Sequence, residues 1–193
     1  RTALQDNTTG CRNVSLGFDS LANNTTGECN TGVGFDAGST ITTGSNLTVL
    51  GSGAQPSSAT ATNEITLGNS SVTSLRCADT SISSLSDLRD KKNVEDIPHG
   101  LDFINALRPV KFDWNARDGS RIGKKDYGFI AQELDKVEET FGNREYTRLV
   151  HKDNPDKWEA DPMKTYPILI KAIQELSETN KDLKSRIEAL ESN

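Results

Sequence analysis

A chain of 193 residues with 33% hydrophobic and 6% aromatic side chains carries little apolar material for one well-buried core of that length, so part of it must be stabilised by repetition or association. A net charge of −6 supplies no basic field for nucleic acid or an anionic membrane surface, and both are excluded as expected partners. No run is apolar enough for a membrane span, and the first residues show no signal-peptide pattern. Charge is unevenly placed: only nine of the 22 basic and 28 acidic residues precede Ser86. The composition therefore divides the chain into a region 1–85 and a region 86–193.

Region 1–85 repeats. Thr8-Thr9-Gly10, Thr25-Thr26-Gly27 and Thr42-Thr43-Gly44 recur every 17 residues, as do Leu16-Gly17, Val33-Gly34, Leu50-Gly51 and Leu67-Gly68. Each repeat offers turn chemistry and then a short apolar strand too brief to bury anything alone. Such repeats gain a core only by stacking along the chain or by wrapping around sister chains. A disordered Ser/Thr/Gly linker is the alternative, but a linker has no reason to keep a period. The stretch Ala54 to Ala59 interrupts the pattern and is expected to form a local loop, after which Glu64 to Arg76 returns to strand and turn. Cys11, Cys29 and Cys77 form neither a zinc pattern nor a disulfide framework, and are expected to be buried or half-buried thiols. The asparagines of the Asn-x-Ser/Thr triplets at Asn7, Asn13, Asn24, Asn46 and Asn69 read as turn residues.

Region 86–193 reads as a compact α+β domain followed by a long helix. Apolar spacing at Leu101, Ile104 and Leu107 ahead of Pro109 predicts a short helix. Val110 to Trp114 alternates as a strand, with Asp126 to Ile130 as its hairpin partner across a turn-rich connection. Ala131 to Glu139 has helical spacing, and Leu149 to His151 and Trp158 mark short strands around an Asp-Asn-Pro-Asp turn. His99 and His151 have no metal-ligand spacing and read as surface or half-buried side chains. No metal and no cofactor is expected. From residue 165 to 191 the apolar positions Leu169, Ile173, Leu176, Leu183, Ile187 and Leu190, with Asn180 in the same seam, alternate spacings of four and three. That is a heptad stripe, with Pro167 acceptable in the first turn.

Between the two regions lies Leu85-Ser86-Asp87-Leu88-Arg89-Asp90-Lys91-Lys92-Asn93-Val94. A serine hydroxyl needs a base to become a nucleophile, and a lysine amine can act only when neutral, which burial or neighbouring cations such as Arg89 and Lys92 favour. Taken alone, the spacing is better explained by Ser86 as a helix N-cap with Asp87 and Asp90 in a first turn and Lys91 and Lys92 solvated. Neither a regular helix nor a strand brings residues five apart together, so Ser86 and Lys91 can meet only through a turn or between chains.

The stretch Ser86 to Val94, with Gly128-Phe129-Ile130-Ala131-Gln132-Glu133-Leu134 downstream, resembles the C-terminal intramolecular chaperone and autoprotease domain of phage endosialidases, tail fibres and neck appendages. The resemblance covers roughly residues 65 to 193, and the repeats before it look like fibre shafts and the heads of trimeric adhesins. It implies a homotrimer: a β-repeat or triple-stranded β-stem over 1–85, and a self-cleaving chaperone over 86–193 that cuts between Leu85 and Ser86 with a Ser86–Lys91 dyad. It places Gln132 and Glu133 in the family-like motif, where they could orient groups near the cut or serve in capping. Asp90, where the family carries an apolar residue, is a departure. Ile and Leu alternating in the seam around Asn180 suit a parallel dimer; the trimer is preferred because so short a seam follows the domains before it. The expected setting is the host cytoplasm during assembly and the virion tail or neck afterwards, with a receptor the sequence does not identify. The competing function is a structural stem with a coiled-coil cap and no chemistry.

Overall fold

The computed structural model describes residues 2–79, 81–142 and 144–192. The chain divides into two compact units, one of Arg1–Cys77 with Asp113–Lys124 and one of Ala78–Phe112 with Lys125–Asn193. In the first, strands β1 (Val14–Leu16), β2 (Thr31–Val33), β3 (Ser45–Leu50) and β4 (Thr62–Leu67) form one parallel sheet in sequence order. Val14 lies opposite Thr31, Thr31 opposite Thr48, and Thr48 opposite Ile65, so every step of the ladder is the 17-residue period of the sequence. Parallel neighbours need a crossover of about a dozen residues or more. A repeat of this length supplies a short strand and enough turns to come back one rung higher.

Each strand therefore finds its partner in the next repeat of the same chain. Of the two routes open to the repeat, stacking along the chain is the one seen within this chain. Stacking within the chain already builds a core of Leu21, Ala37, Ile41, Leu47, Val49 and Ala54, all at most 1% exposed. Between rungs run buried amides: Asn24 Nδ2 donates to Asn7 Oδ1 at 2.9 Å and Asn30 Nδ2 donates to the Gly44 carbonyl at 2.8 Å. Left-handed backbone recurs with the same period, at Asp19 and Asp36 (φ 57 for both) and at Gly17 and Gly34 (φ 137 and 134). A Cβ at Gly17 would stand 2.3 Å from the Gly34 carbonyl oxygen, which is why that column is glycine.

Ala54 to Ala59 forms the expected loop, without helix or strand, yet its carbonyls still serve the repeat before it: Gly38 N–H donates to Ala54 O at 2.8 Å and Thr42 N–H to Ala59 O at 2.9 Å. One expectation is corrected in this unit: all three cysteines are exposed rather than buried or half-buried. Cys11 and Cys29 lie outside the strands, and Cys29 turns a left-handed corner with φ 58.

The second unit contains α1 (Leu101–Ala106), β5 (Val110–Asp113) paired with β6 (Lys125–Gly128), α2 (Ala131–Phe141), α3 (Arg144–Thr147), β7 (Val150–His151) antiparallel to β8 (Glu159–Ala160), and α4 (Tyr166–Glu191). Gly142 ends α2 in the left-handed conformation, φ 66, its N–H reaching the carbonyls of Glu138 and Glu139. Phe103, Leu134, Leu149 and Ile168 form the core. Of α4, Ile168 belongs to this core, and Ala172 one turn on is the other residue of the helix that is buried. Beyond them the heptad positions Ile173, Leu176, Leu183 and Ile187 are 46–62% exposed. The whole is α+β with a long C-terminal helix.

Candidate active site

Asp87 organises the stretch after Leu85. Its carboxylate caps a single 3-10 turn, Leu88–Asp90, by accepting the Arg89 backbone N–H at 2.9 Å. The same carboxylate takes the Arg89 side chain in a fork, Nε at 3.0 Å and a terminal nitrogen at 2.6 Å. Lys91 N–H closes the turn on the Leu88 carbonyl at 3.1 Å, and Lys91 itself leaves in extended backbone. The chain has thus been folded back on itself over five residues. Lys91 Nζ comes to 2.7 Å from Ser86 Oγ and donates a hydrogen bond to it.

A turn within one chain is therefore what brings the two predicted site residues together. Ser86 does not cap the turn, since Asp87 does. The Arg89 bonds pull the Asp87 carboxyl below the usual carboxylate range, and Asp87 raises the guanidinium in return. Arg89 is committed to that fork, so its charge reaches Lys91 already matched by a carboxylate. Ser86, Lys91 and Lys92 are open to solvent, and so are the apolar neighbours Ile82, Leu85, Leu88 and Val94, at 94, 83, 70 and 66% exposure.

The other candidates are placed elsewhere. Glu133 is held by a bidentate pair with Arg108, Nε to Oε2 at 3.0 Å, which lowers its carboxyl; Gln132 is exposed. His99 is half-buried against Phe141, ring centroids 5.0 Å apart, with Nδ1 at 3.1 Å from Asp102 Oδ2; His151 is exposed. Among the described residues no group of three or more His, Cys, Asp or Glu is arranged to hold a metal ion, and no helix is long and apolar enough to cross a membrane. Two residues escaped the sequence reading. Asp87 was counted only as first-turn charge. Glu138, buried on α2, accepts the Leu149 N–H at 2.6 Å and the Thr147 hydroxyl at 2.5 Å. Its only sequence signal was a carboxylate next to Val137 on the apolar face of a helix.

Neither a search of curated proteins nor one of solved structures returns a match. The family model described as Chaperone of endosialidase, peptidase S74, does match: it covers residues 86–143, opens on the serine of the Ser86–Lys91 pair, and takes in the segment Gly128 to Leu134, so that this part of the chain carries a domain consistent with that family.

Proposed function

We propose that the chain is the C-terminal part of a phage tail fibre, tailspike or neck appendage. In this reading residues 86–193 form an intramolecular chaperone that brings copies of the stem into a homotrimer and then releases itself by cutting between Leu85 and Ser86. Assembly belongs to the host cytoplasm and the released stem to the virion. The observation that carries the reading is the 2.7 Å bond between Lys91 Nζ and Ser86 Oγ, in a stretch where the family match begins.

The chemistry runs on this chain's own atoms. Ser86 Oγ attacks the carbonyl carbon of Leu85 while Lys91 Nζ takes the hydroxyl proton. The Leu85–Ser86 amide bond breaks, an ester forms on Oγ, and the proton passes to the departing amine. Water then hydrolyses the ester, leaving a carboxylate on Leu85 and the hydroxyl restored. As base, the amine must accept from Oγ rather than donate, which requires a drier setting than the single chain provides. Association that covers Ile82, Leu85, Leu88 and Val94 would supply one.

The openness of the pair favours a second reading, a stem with a coiled-coil cap and no chemistry. Denaturing gels of four chains separate the two. Wild type should give fragments 1–85 and 86–193, Ser86→Ala and Lys91→Ala should stay whole, and Lys92→Ala should cleave, if more slowly. Equal loss from both lysines would reassign the base; an uncut wild type would leave the second reading.

A further inference from the structure

Strand alternation sorts the stem's side chains into an inner and an outer set. Leu47 and Val49 of β3 point into the core at 1% exposure, so Thr48 and Leu50 point out. The 17-residue register repeats that choice on every rung. One outer column is Val14, Thr31, Thr48 and Ile65, and the other is Leu16, Val33, Leu50 and Leu67. These eight positions hold six aliphatic residues, two threonines and no charge. Beside them Phe18 and Phe35 stack one rung apart, centroids 5.8 Å and planes 6° from parallel, each more than half exposed. Among the described residues the two end rungs of this face are the most open: Val14, Leu16, Ile65 and Leu67 are 52–72% exposed, while Thr31, Val33 and Thr48 between them are half-buried.

Five large apolar side chains of the two columns, Val14, Leu16, Leu50, Ile65 and Leu67, remain in water, and so do Phe18 and Phe35 just past the strand ends. At somewhat under 100 Å² each the seven expose roughly 500–700 Å² of apolar surface, at the upper end of the ~300–600 Å² that the largest apolar patch of an ordinary monomer covers. That is most of the ~800 Å² that one partner contributes to a stable interface of standard size.

The occupant must match two uncharged columns repeating at the spacing of neighbouring strands, about 4.8 Å. A second copy of this chain presents that same repeat, so its ridges can seat between these rungs over the full height of the stack. We infer that the outer face of β1–β4, with the Phe18–Phe35 stack, is the surface through which stems of sister copies meet. The inference deepens the association reading above and rests on it: strands pair within each chain, and chains meet side chain to side chain.

The test uses the whole chain carrying Ser86→Ala, so that stem and helix stay covalently joined. Leu16→Glu with Leu67→Glu charges the outer face and leaves the core untouched; Thr48→Lys does so at a third rung. Sedimentation of the parent should show an oligomer, and the double variant should dissociate at least 100-fold more readily with unchanged circular dichroism. Hydroxyl-radical labelling should find Phe18 and Phe35 protected in the parent oligomer and exposed in both variants. An oligomer that all the face variants leave intact, with Phe18 and Phe35 labelled as fast as in free chain, would overturn the inference while sparing association through α4. A parent that stays monomeric at every concentration would remove the association reading along with it.

Discussion

At the scale of single residues, the bond between Ser86 and Lys91 depends on a residue that takes no part in the proposed chemistry. Asp87 holds the turn that aims Lys91 back at Ser86, by one backbone bond and a two-bond fork to Arg89. Asp87→Ala removes both and should slow self-cleavage roughly three- to tenfold, in keeping with the loss of a cap. Asp87→Asn can still cap and should retain most of the rate. Time courses on gels distinguish them, and equal rates for alanine and wild type would show that the turn is held some other way. The Asp87 carboxyl sits below its ordinary value because Arg89 donates to it. A carboxyl lowered in the folded chain contributes stability that is present above the unfolded pKa and lost as pH falls through the lowered value. Its exposure to water keeps that contribution small. Carbon-detected NMR should find Asp87 titrating below the usual 3.8, and Arg89→Ala should return it toward that value.

Among elements, those set by local pattern were readable and those set by contacts distant in sequence were not. The α1, α2 and α4 helices follow from apolar spacing at three and four, and each step of the ladder equals the 17-residue period legible in the sequence. Whether a repeat stacks on its own neighbour or on another chain was not decided by that period, since either arrangement buries Leu47 and Val49. The asparagines read as turn residues also carry side-chain bonds from rung to rung, as Asn13 Nδ2 does to Gly27 O at 2.8 Å. At the site, sequence named the pair Ser86 and Lys91 and a turn between them as one way to join them, but not the residue that caps it, because a 3-10 turn capped by Asp87 and a helix capped by Ser86 draw on the same residue types. Glu138 was hidden because its partners, Thr147 and Leu149, lie beyond the end of its helix. Glu138→Leu leaves the Leu149 N–H without its acceptor in a dry core, and should cost about 1–3 kcal/mol by chemical denaturation. Glu138→Gln keeps an acceptor and should cost less. If the two variants lost the same stability, the bond to Leu149 would not be what the carboxylate contributes.

For the whole molecule, two apolar surfaces remain open in the single chain, the outer face of the stem and the seam of α4 beyond Ala172. In the proposed reading, the seam of Ile173, Leu176, Leu183 and Ile187 is where copies of the helix would meet. The exposed dyad gives association a second consequence: if covering Leu85 and its apolar neighbours dries the Lys91 amine, cleavage should wait for assembly. Leu176→Asp with Leu183→Asp, far along the chain from Ser86, should then yield a dissociated chain that cuts slowly and faster as concentration rises. Cleavage at the wild-type rate by that variant as a proven monomer would mean that one chain carries a complete site. All of this stands on the claim that the chain cuts itself at one bond, and intact-mass spectrometry of the freshly purified wild type tests that claim most directly. The account predicts two masses, one ending at Leu85 and one beginning at Ser86, which merge into a single full-length mass in Ser86→Ala. A full-length wild type, or a break at any other bond, would contradict it.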